Sequence, residues 1–473
     1  MTLDRALEVA RSRRQQAEAD LFEELAIPSV STLPEHRADV RRNCDWLADR
    51  FRRLGFRVAV TDVVEGGHPV LQADLDGPGE APHLTVYGHY DVQPPDPVEL
   101  WQSPPFQPTV RDGLVYARGA ADNKGNHMAA LQAAACALAA DGPPLNLRFL
   151  LEGEEEITGP SLPRYVRENA ARLGTDYILV WDGGFSADNR PELVTGLRGI
   201  LYVELEARGP AVDLHSGMFG GVAPNPLNTL ARILGELKGR DGRITIPGFY
   251  DGVREPTPEE MADWDRGDAY GETLREQMGA RSLEGESGYS PVERTYSRPT
   301  LDVNGFWGGF MGEGKKTVIP ALGWAKVSMR LVPGQDPLRI LASLESYVGE
   351  LSTPGVEIGV KLLGAAPPVV AGSDHLGARA LSDAYAASFG RQAARLRSGG
   401  SIPVAIDFQE ALGAPMMISG LSQPGGAPHS PNERFSLDHY HRGIETLLRL
   451  MWSLSESSAE AEHDARPEGV QPG

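Results

Sequence analysis

The chain has 473 residues, and 45 Lys or Arg against 65 Asp or Glu leave a formal charge of −20 with histidine neutral. Such a charge repels phosphate backbones and anionic lipid surfaces, and no Lys/Arg run offers a basic patch, so binding to nucleic acid or membrane is not expected. The acid surplus has two readings, a solubilising surface or carboxylates gathered on cations.

The length suits about two to three domains of ~150 residues. Charge at Asp4 and Arg5 with no apolar run behind it argues against a secretory signal. The longest apolar stretch, 129–140, falls well short of the ~20 residues of a membrane span. Cys44 and Cys136 cannot build a disulfide framework and read as buried thiols of a reducing cytoplasm.

In chain order, residues 4–26 and 36–54 are amphipathic at helical spacing, and 56–60, 70–75 and 83–87 read as short strands. An Ala-rich helix, 126–140, stops at Asp141-Gly142-Pro143-Pro144, and apolar strands follow at 145–151 and 177–181. Buried strands alternating with helices predict an α/β sheet covered on both faces. From about Arg198 the texture becomes α+β: strands at 200–207, 324–332 and 355–363, helices at 226–237 and 337–351, and a Pro-, Gly- and charge-rich stretch with little periodicity at 248–300. After Pro367-Pro368 the α/β texture returns, with helices near 375–389, 401–412 and 436–454 and strands near 393–397 and 415–419. The middle block therefore reads as a domain of about 197–368 inserted into a split domain, 1–196 and 369–455, with a disordered tail at 456–473.

Polar residues crowd three strand ends: His89, the acids of 152–156, and Asp182. Ligands of open α/β sheets bind outside the carboxyl ends of the strands, so these loops are expected to converge. In Gly88-His89-Tyr90-Asp91 the two-residue spacing puts both side chains on one side, where Asp91 can fix the tautomer of a metal-ligating His89; a plain loop pair is the alternative. Asp122 precedes the Ala-rich helix as a ligand or as its cap, and Asn123 reads as a cap. Glu152-Gly153-Glu154-Glu155-Glu156 crowds like charges, relieved either by cations or by solvent. Asp182, before Gly183-Gly184, and His429, in Gly425-Gly426-Ala427-Pro428-His429-Ser430, also fit ordinary loops. Together two imidazoles and several carboxylates make the hard N/O set that suits zinc, manganese or cobalt in a two-metal site, which activates water against an amide beside a glutamate base.

Five motifs in order, Gly88-His89-Tyr90-Asp91-Val92-Gln93-Pro94, Arg118-Gly119-Ala120-Ala121-Asp122-Asn123-Lys124-Gly125, Glu152-Gly153-Glu154-Glu155-Glu156, Asp213-Leu214-His215-Ser216-Gly217 and Lys316-Thr317-Val318-Ile319-Pro320, resemble the M20 metallopeptidases over residues from about 15 to 452. That family includes carnosinase-like cytosolic dipeptidases, acetylornithine deacetylase, succinyl-diaminopimelate desuccinylase and carboxypeptidase G. The resemblance implies a split α/β catalytic domain with a central mixed sheet and an inserted α+β lid/dimerisation domain. It implies one divalent ion on His89, Asp122 and Asp182 and a second on Asp122, Glu156 and His429, most simply zinc, with Glu155 as general base and Asp91 behind His89. Glu154 falls where relatives vary and is left a solvated or structural role. His215 matches the histidine that polarises the scissile carbonyl, often in the partner subunit; a loop histidine capping a turn is the alternative. Thr317 and Arg330 match substrate-contacting residues, with a salt-bridged strand residue as the alternative for Arg330.

In Ser398-Gly399-Gly400-Ser401-Ile402-Pro403, open glycine amides and a helix start suit a substrate carboxylate at Ser401, or merely a capped helix. Asp182, where some members carry glutamate, resembles the dipeptidase and aminopeptidase-like members more than the carboxypeptidase ones. Ile157-Thr158-Gly159-Pro160 and Asn123 depart from the usual pattern without removing a ligand. The expected protein is a cytoplasmic, homodimeric two-metal hydrolase of small peptides with a free carboxylate. An N-acyl-amino-acid deacylase is the first alternative, an inactive metal-binding scaffold and a phosphoesterase the remoter ones.

Overall fold

The computed structural model describes residues 2–186, 188–264, 270–398 and 403–464. The chain packs into two compact units, one built from residues up to Thr195, Ala371–Arg395 and the stretch from Pro403 on, the other from Gly196–Val370 and Leu396–Ile402.

The first unit is organised by a mixed sheet whose strands lie in the order Arg57–Thr61, Val70–Leu75, Asn146–Glu152, His83–His89, Tyr177–Trp181, Met416–Ser419 and Glu192–Leu197; within the last the chain passes into the second unit. The run from Asn146–Glu152 to Met416–Ser419 is parallel, because helices such as Gly125–Ala140 carry the chain back between strands; the outer strands pair antiparallel. Leu84, Val86, Leu147, Phe149, Leu179 and Trp181 share one core with residues of the helices Arg37–Arg53, Gly125–Ala140, Leu376–Phe389 and Leu437–Asp464. Alternate residues face the other side, where Tyr87 meets Phe408 of the Pro403–Ala411 helix and the Tyr165 hydroxyl, on the Ser161–Asn169 helix, donates to Gln72. Both faces are covered, which is why these strands read as unbroken apolar runs.

Several elements differ from the sequence reading. The helix expected over 4–26 breaks at Arg13 into Leu3–Ser12 and Arg14–Leu25, which bury Ala6, Leu7 and Ala10 and then Ala17, Leu21 and Leu25. Strands Thr109–Arg111, Leu114–Tyr116 and Arg434–Ser436 form a small antiparallel sheet, too short to show a period in sequence. The last helix runs on to Asp464 instead of giving way to a disordered tail after Ser455, since the Ala- and Glu-rich stretch that follows is strongly helix-forming; residues 465–473 lie outside the described ones.

The second unit is an antiparallel sheet in the order Thr300–Gly308, Leu322–Leu331, Gly199–Arg208, Glu357–Ala366. Leu201, Val203, Leu205 and Ala207 alternate inward with Ala325, Val327, Met329 and Leu331, under Leu230 and Ile233 of helix Pro226–Glu236 and Ile340 and Leu344 of helix Pro337–Glu350. The aperiodic stretch before this sheet's edge holds short helices at Pro258–Trp264, Tyr270–Gln277 and Pro291–Tyr296, the last started by a reciprocal Ser290/Glu293 cap. Among the described residues no helix is long and apolar enough to cross a membrane.

Candidate metal centre

The parallel strands His83–His89, Asn146–Glu152 and Tyr177–Trp181 lie side by side, with His89 in register with Glu152, so their carboxyl ends deliver His89, the 152–156 acids and Asp182 to one edge of the sheet. Asp122 arrives on the turn before helix Gly125–Ala140, and His429 on the loop closed by the Arg434–Ser436 strand. Close packing forces small residues here: a side chain at Gly88 would stand 2.8 Å from Asn123 Oδ1 and 2.9 Å from His127 Cβ.

His89 Nε2 stands 2.9 Å from Asp122 Oδ1 and 3.7 Å from Asp182 Oδ2. His429 Nε2 stands 3.0 Å from Asp122 Oδ2 and 3.2 Å from Glu156 Oε2. Asp122 therefore turns one oxygen to each imidazole, and in each triad, His89–Asp122–Asp182 and Asp122–Glu156–His429, one atom per residue lies within 4.8 Å of the others. Donors of a tetrahedral ion with ~2.0–2.2 Å bonds are about 3.3–3.6 Å apart, a spacing the His89 separations bracket and the His429 separations fall just short of. The donor chemistry fits as well, one imidazole and two carboxylates for each ion.

Neighbouring groups orient the donors. His89 Nδ1 faces only acceptors, Asp91 O at 3.1 Å and Asp91 Oδ1 at 3.4 Å, so this nitrogen carries hydrogen and Nε2 is directed at Asp122 and Asp182. Asn123 Nδ2 donates to Asp182 Oδ1 at 2.7 Å and to Trp181 O at 2.9 Å. Gln93 Nε2 donates to Glu156 Oε2 at 2.8 Å, and Asp91 Oδ2 accepts from the Glu156 N–H at 3.2 Å.

The electrostatics are those of a site short of positive charge. Burial lowers the His89 pKa, but Asp182, Asp122 and Asp91 override it and raise it well above the ordinary imidazole value. His429, hydrogen-bonded to Asp122 and Glu156, is pushed up to about 10. Burial and the surrounding acids raise Asp182 to about 6 and Glu155 to about 8, in both cases against the pull of His89. Divalent cations would relieve this crowding directly.

Residues 85–453 match the family model described as peptidase family M20/M25/M40. The chain belongs to this family. It is 30% identical to a Cys-Gly metallodipeptidase of Schizosaccharomyces pombe over 97% of this chain and 99% of that protein. Human carnosine dipeptidase 1 superposes with a TM-score of 0.72 at 28% identity, covering 96% of this chain and 99% of that one. An M20 family metallo-carboxypeptidase from Sulfolobus solfataricus gives a TM-score of 0.76 at 31% identity over 93% and 99%.

The remaining candidates of the M20 pattern lie in the second unit. His215 is exposed at the end of the short strand Leu214–His215, which pairs with Val318–Ile319, and its Nδ1 accepts from the Gly217 N–H at 3.0 Å, the turn-capping contact. Thr317, also exposed, accepts at its carbonyl from the Ser216 N–H at 3.0 Å, so the two lie on neighbouring segments. Arg330 sits half-buried opposite Thr300 and Ile200 and makes no ion pair among the described residues, contrary to the salt-bridge alternative. Ser401 lies outside the described residues.

Asn123 departs from its sequence reading, and Glu154 takes the structural one of its two. Asn123 caps no helix, because Gly125–Ala140 starts from Lys124; its amide holds Asp182 instead. Glu154 is buried rather than solvated, accepting from the His68 and Ser161 N–H groups at 2.6 and 3.0 Å. A side chain at Gly159 would stand 2.3 Å from Glu154 Cβ, and Thr158 beside it takes φ +52°, so this turn is shaped around the buried carboxylate. Gln93 and Glu433 carry no sequence signal of their roles: Gln93 lies within the His89 motif, and Glu433 is marked only by its position shortly after His429.

Proposed function

We propose that this chain is a two-metal dipeptidase that hydrolyses the peptide bond of dipeptides and similar small peptides carrying a free carboxylate. The observation that carries the proposal is Asp122, whose two oxygens meet the His89 and His429 imidazoles at 2.9 and 3.0 Å with a further carboxylate beside each. Family membership and the dipeptidase names of relatives support the substrate class. Zinc is the favoured ion for His89, Asp122 and Asp182 and for Asp122, Glu156 and His429, with manganese and cobalt as the other candidates. When bound, such ions supply a Lewis acid for the carbonyl and lower the pKa of water.

The chain's own residues supply the proton traffic. Glu155, next to Glu156, takes a proton from the attacking water as the water oxygen bonds to the carbonyl carbon. As the C–N bond breaks, Glu155 returns that proton to the leaving amine. Asp91 keeps His89 in one tautomer, and Asn123 and Gln93 hold the Asp182 and Glu156 carboxylates. His215 is assigned as hydrogen-bond donor to the developing oxyanion, and Thr317, Arg330 and Ser401 as contacts to the substrate and its carboxylate. The second unit is assigned as lid and homodimer interface, and Cys44 and Cys136, both buried free thiols, suit a cytoplasmic protein.

Glu155→Gln should lower kcat by roughly 10²–10⁴-fold on Cys-Gly or β-Ala-His while the metal content stays that of the wild type. Retained turnover overturns the base assignment, and hydrolysis of N-acetyl amino acids without any dipeptide in the panel overturns the substrate class.

A further inference from the structure

Glu433 is fully buried and takes no part in either triad, yet both its oxygens are saturated by one short segment of chain. Oε2 accepts from the Arg118 guanidinium at 2.6 Å and the Gly119 N–H at 2.9 Å; Oε1 accepts from the Ala121 N–H at 2.8 Å and the Asp122 N–H at 3.1 Å. Its own carbonyl accepts from the Ala117 N–H at 3.2 Å, and the strand that begins with the next residue pairs Arg434 with Tyr116. One side chain thus encloses the turn that presents Asp122 and ties it to the loop that presents His429.

That loop needs a tether. Ala427, His429 and Asn432 all take positive φ, +55°, +58° and +62°, a conformation that costs energy in non-glycine residues and persists only where the surroundings impose it. Asp122 and His429 are 307 residues apart in sequence but must hold Oδ2 and Nε2 at 3.0 Å. Four converging donors require an ionised carboxylate: an amide in its place would turn an NH2 group toward two of them, and burial makes such a mismatch expensive.

We propose that Glu433 is a positioning residue that sets the distance between Asp122 and His429 and so determines the affinity of the Asp122–Glu156–His429 metal site. Arg118 neutralises it, and the amides of residues 119, 121 and 122 transmit its position to the shared ligand. The inference rests on the two-metal reading.

The test titrates metal-free full-length protein with Co²⁺, following the visible absorption bands, alongside hydrogen exchange of the 118–123 and 425–433 peptides. The wild type should bind two equivalents. Glu433→Gln should weaken the Asp122–Glu156–His429 site by roughly 10–100-fold, the usual effect of removing a group that orients ligands, and the site that shares Asp122 by less, with faster exchange confined to those two peptides. Glu433→Asp, which keeps the charge but shortens its reach, should fall between and serves as the folded variant if Glu433→Gln does not accumulate. Two equivalents bound with wild-type affinity by either folded variant overturn the inference while leaving the two-metal reading intact; a wild type that binds no Co²⁺ overturns both.

Discussion

His89 sits fully buried at the end of a seven-residue strand, whereas His429 is 56% exposed on a loop with φ +58°, yet both turn Nε2 toward Asp122. The first imidazole inherits its place from sheet register and from Asp91, and its partner Asp182 is held by Asn123. The second depends on a strained loop and on tethers from other segments. Rigid strands hold ligands with less freedom than loops do, so the two donor sets should differ in affinity although their chemistry is the same.

Asp122→Asn attacks what the two sites share and should have the largest effect. Both ions should be lost on dialysis, read by elemental analysis, and kcat/KM should fall by roughly 10²–10⁴-fold, the compounded weakening of two centres. A variant that keeps one full equivalent would show that Asp122 serves a single site.

His429→Ala separates them. One equivalent of metal should remain and activity should drop by roughly 10²-fold, because one ion of the pair is gone. Graded chelation of the wild type should likewise remove one ion well before the other; finding that the remaining Co²⁺ spectrum matches the His429 triad, and not that of His429→Ala, would reverse the ranking. The smallest change is Asp91→Asn, which leaves an acceptor for the His89 N–H but removes the charge. Roughly tenfold weaker binding is expected at the His89 triad, with a smaller loss at the other because Asp91 also accepts from the Glu156 N–H, both seen in the same Co²⁺ titration.

The site residues with the clearest structural reason in the sequence were those at strand ends, while Asp122 and His429 were candidates from a turn and a loop. His89, the 152–156 acids and Asp182 each follow an apolar run, and parallel strands bring such positions together. What stayed hidden was defined by hydrogen bonds across the fold. Asn123 looked like a cap because an amide before a helix usually is one, and only the neighbouring strand supplies the Asp182 oxygen it binds. Glu433 is one acid among 65 Asp and Glu until the amides of a turn about three hundred residues earlier close on it. Missed strands have the same kind of cause: Thr300–Gly308 is an edge strand, exposed at Asp302, Val303 and Asn304 and bulged near Gly305, so it lacks a clean period-two pattern.

The interleaving of the first unit also has a bearing on biosynthesis. Strand Met416–Ser419 lies between Tyr177–Trp181 and Glu192–Leu197, and helix Leu437–Asp464 packs in the same core as Gly125–Ala140. A ribosome that has made the first 370 residues has released His89, Asp122, Glu156 and Asp182 but neither the strand that completes their sheet nor His429. Ordering this unit must await long-range closure by the last hundred or so residues. On the two-metal reading, capture of the second ion would therefore report that translation has reached the final segment, and a chain truncated before it would carry an acidic cluster without the means to hold the pair.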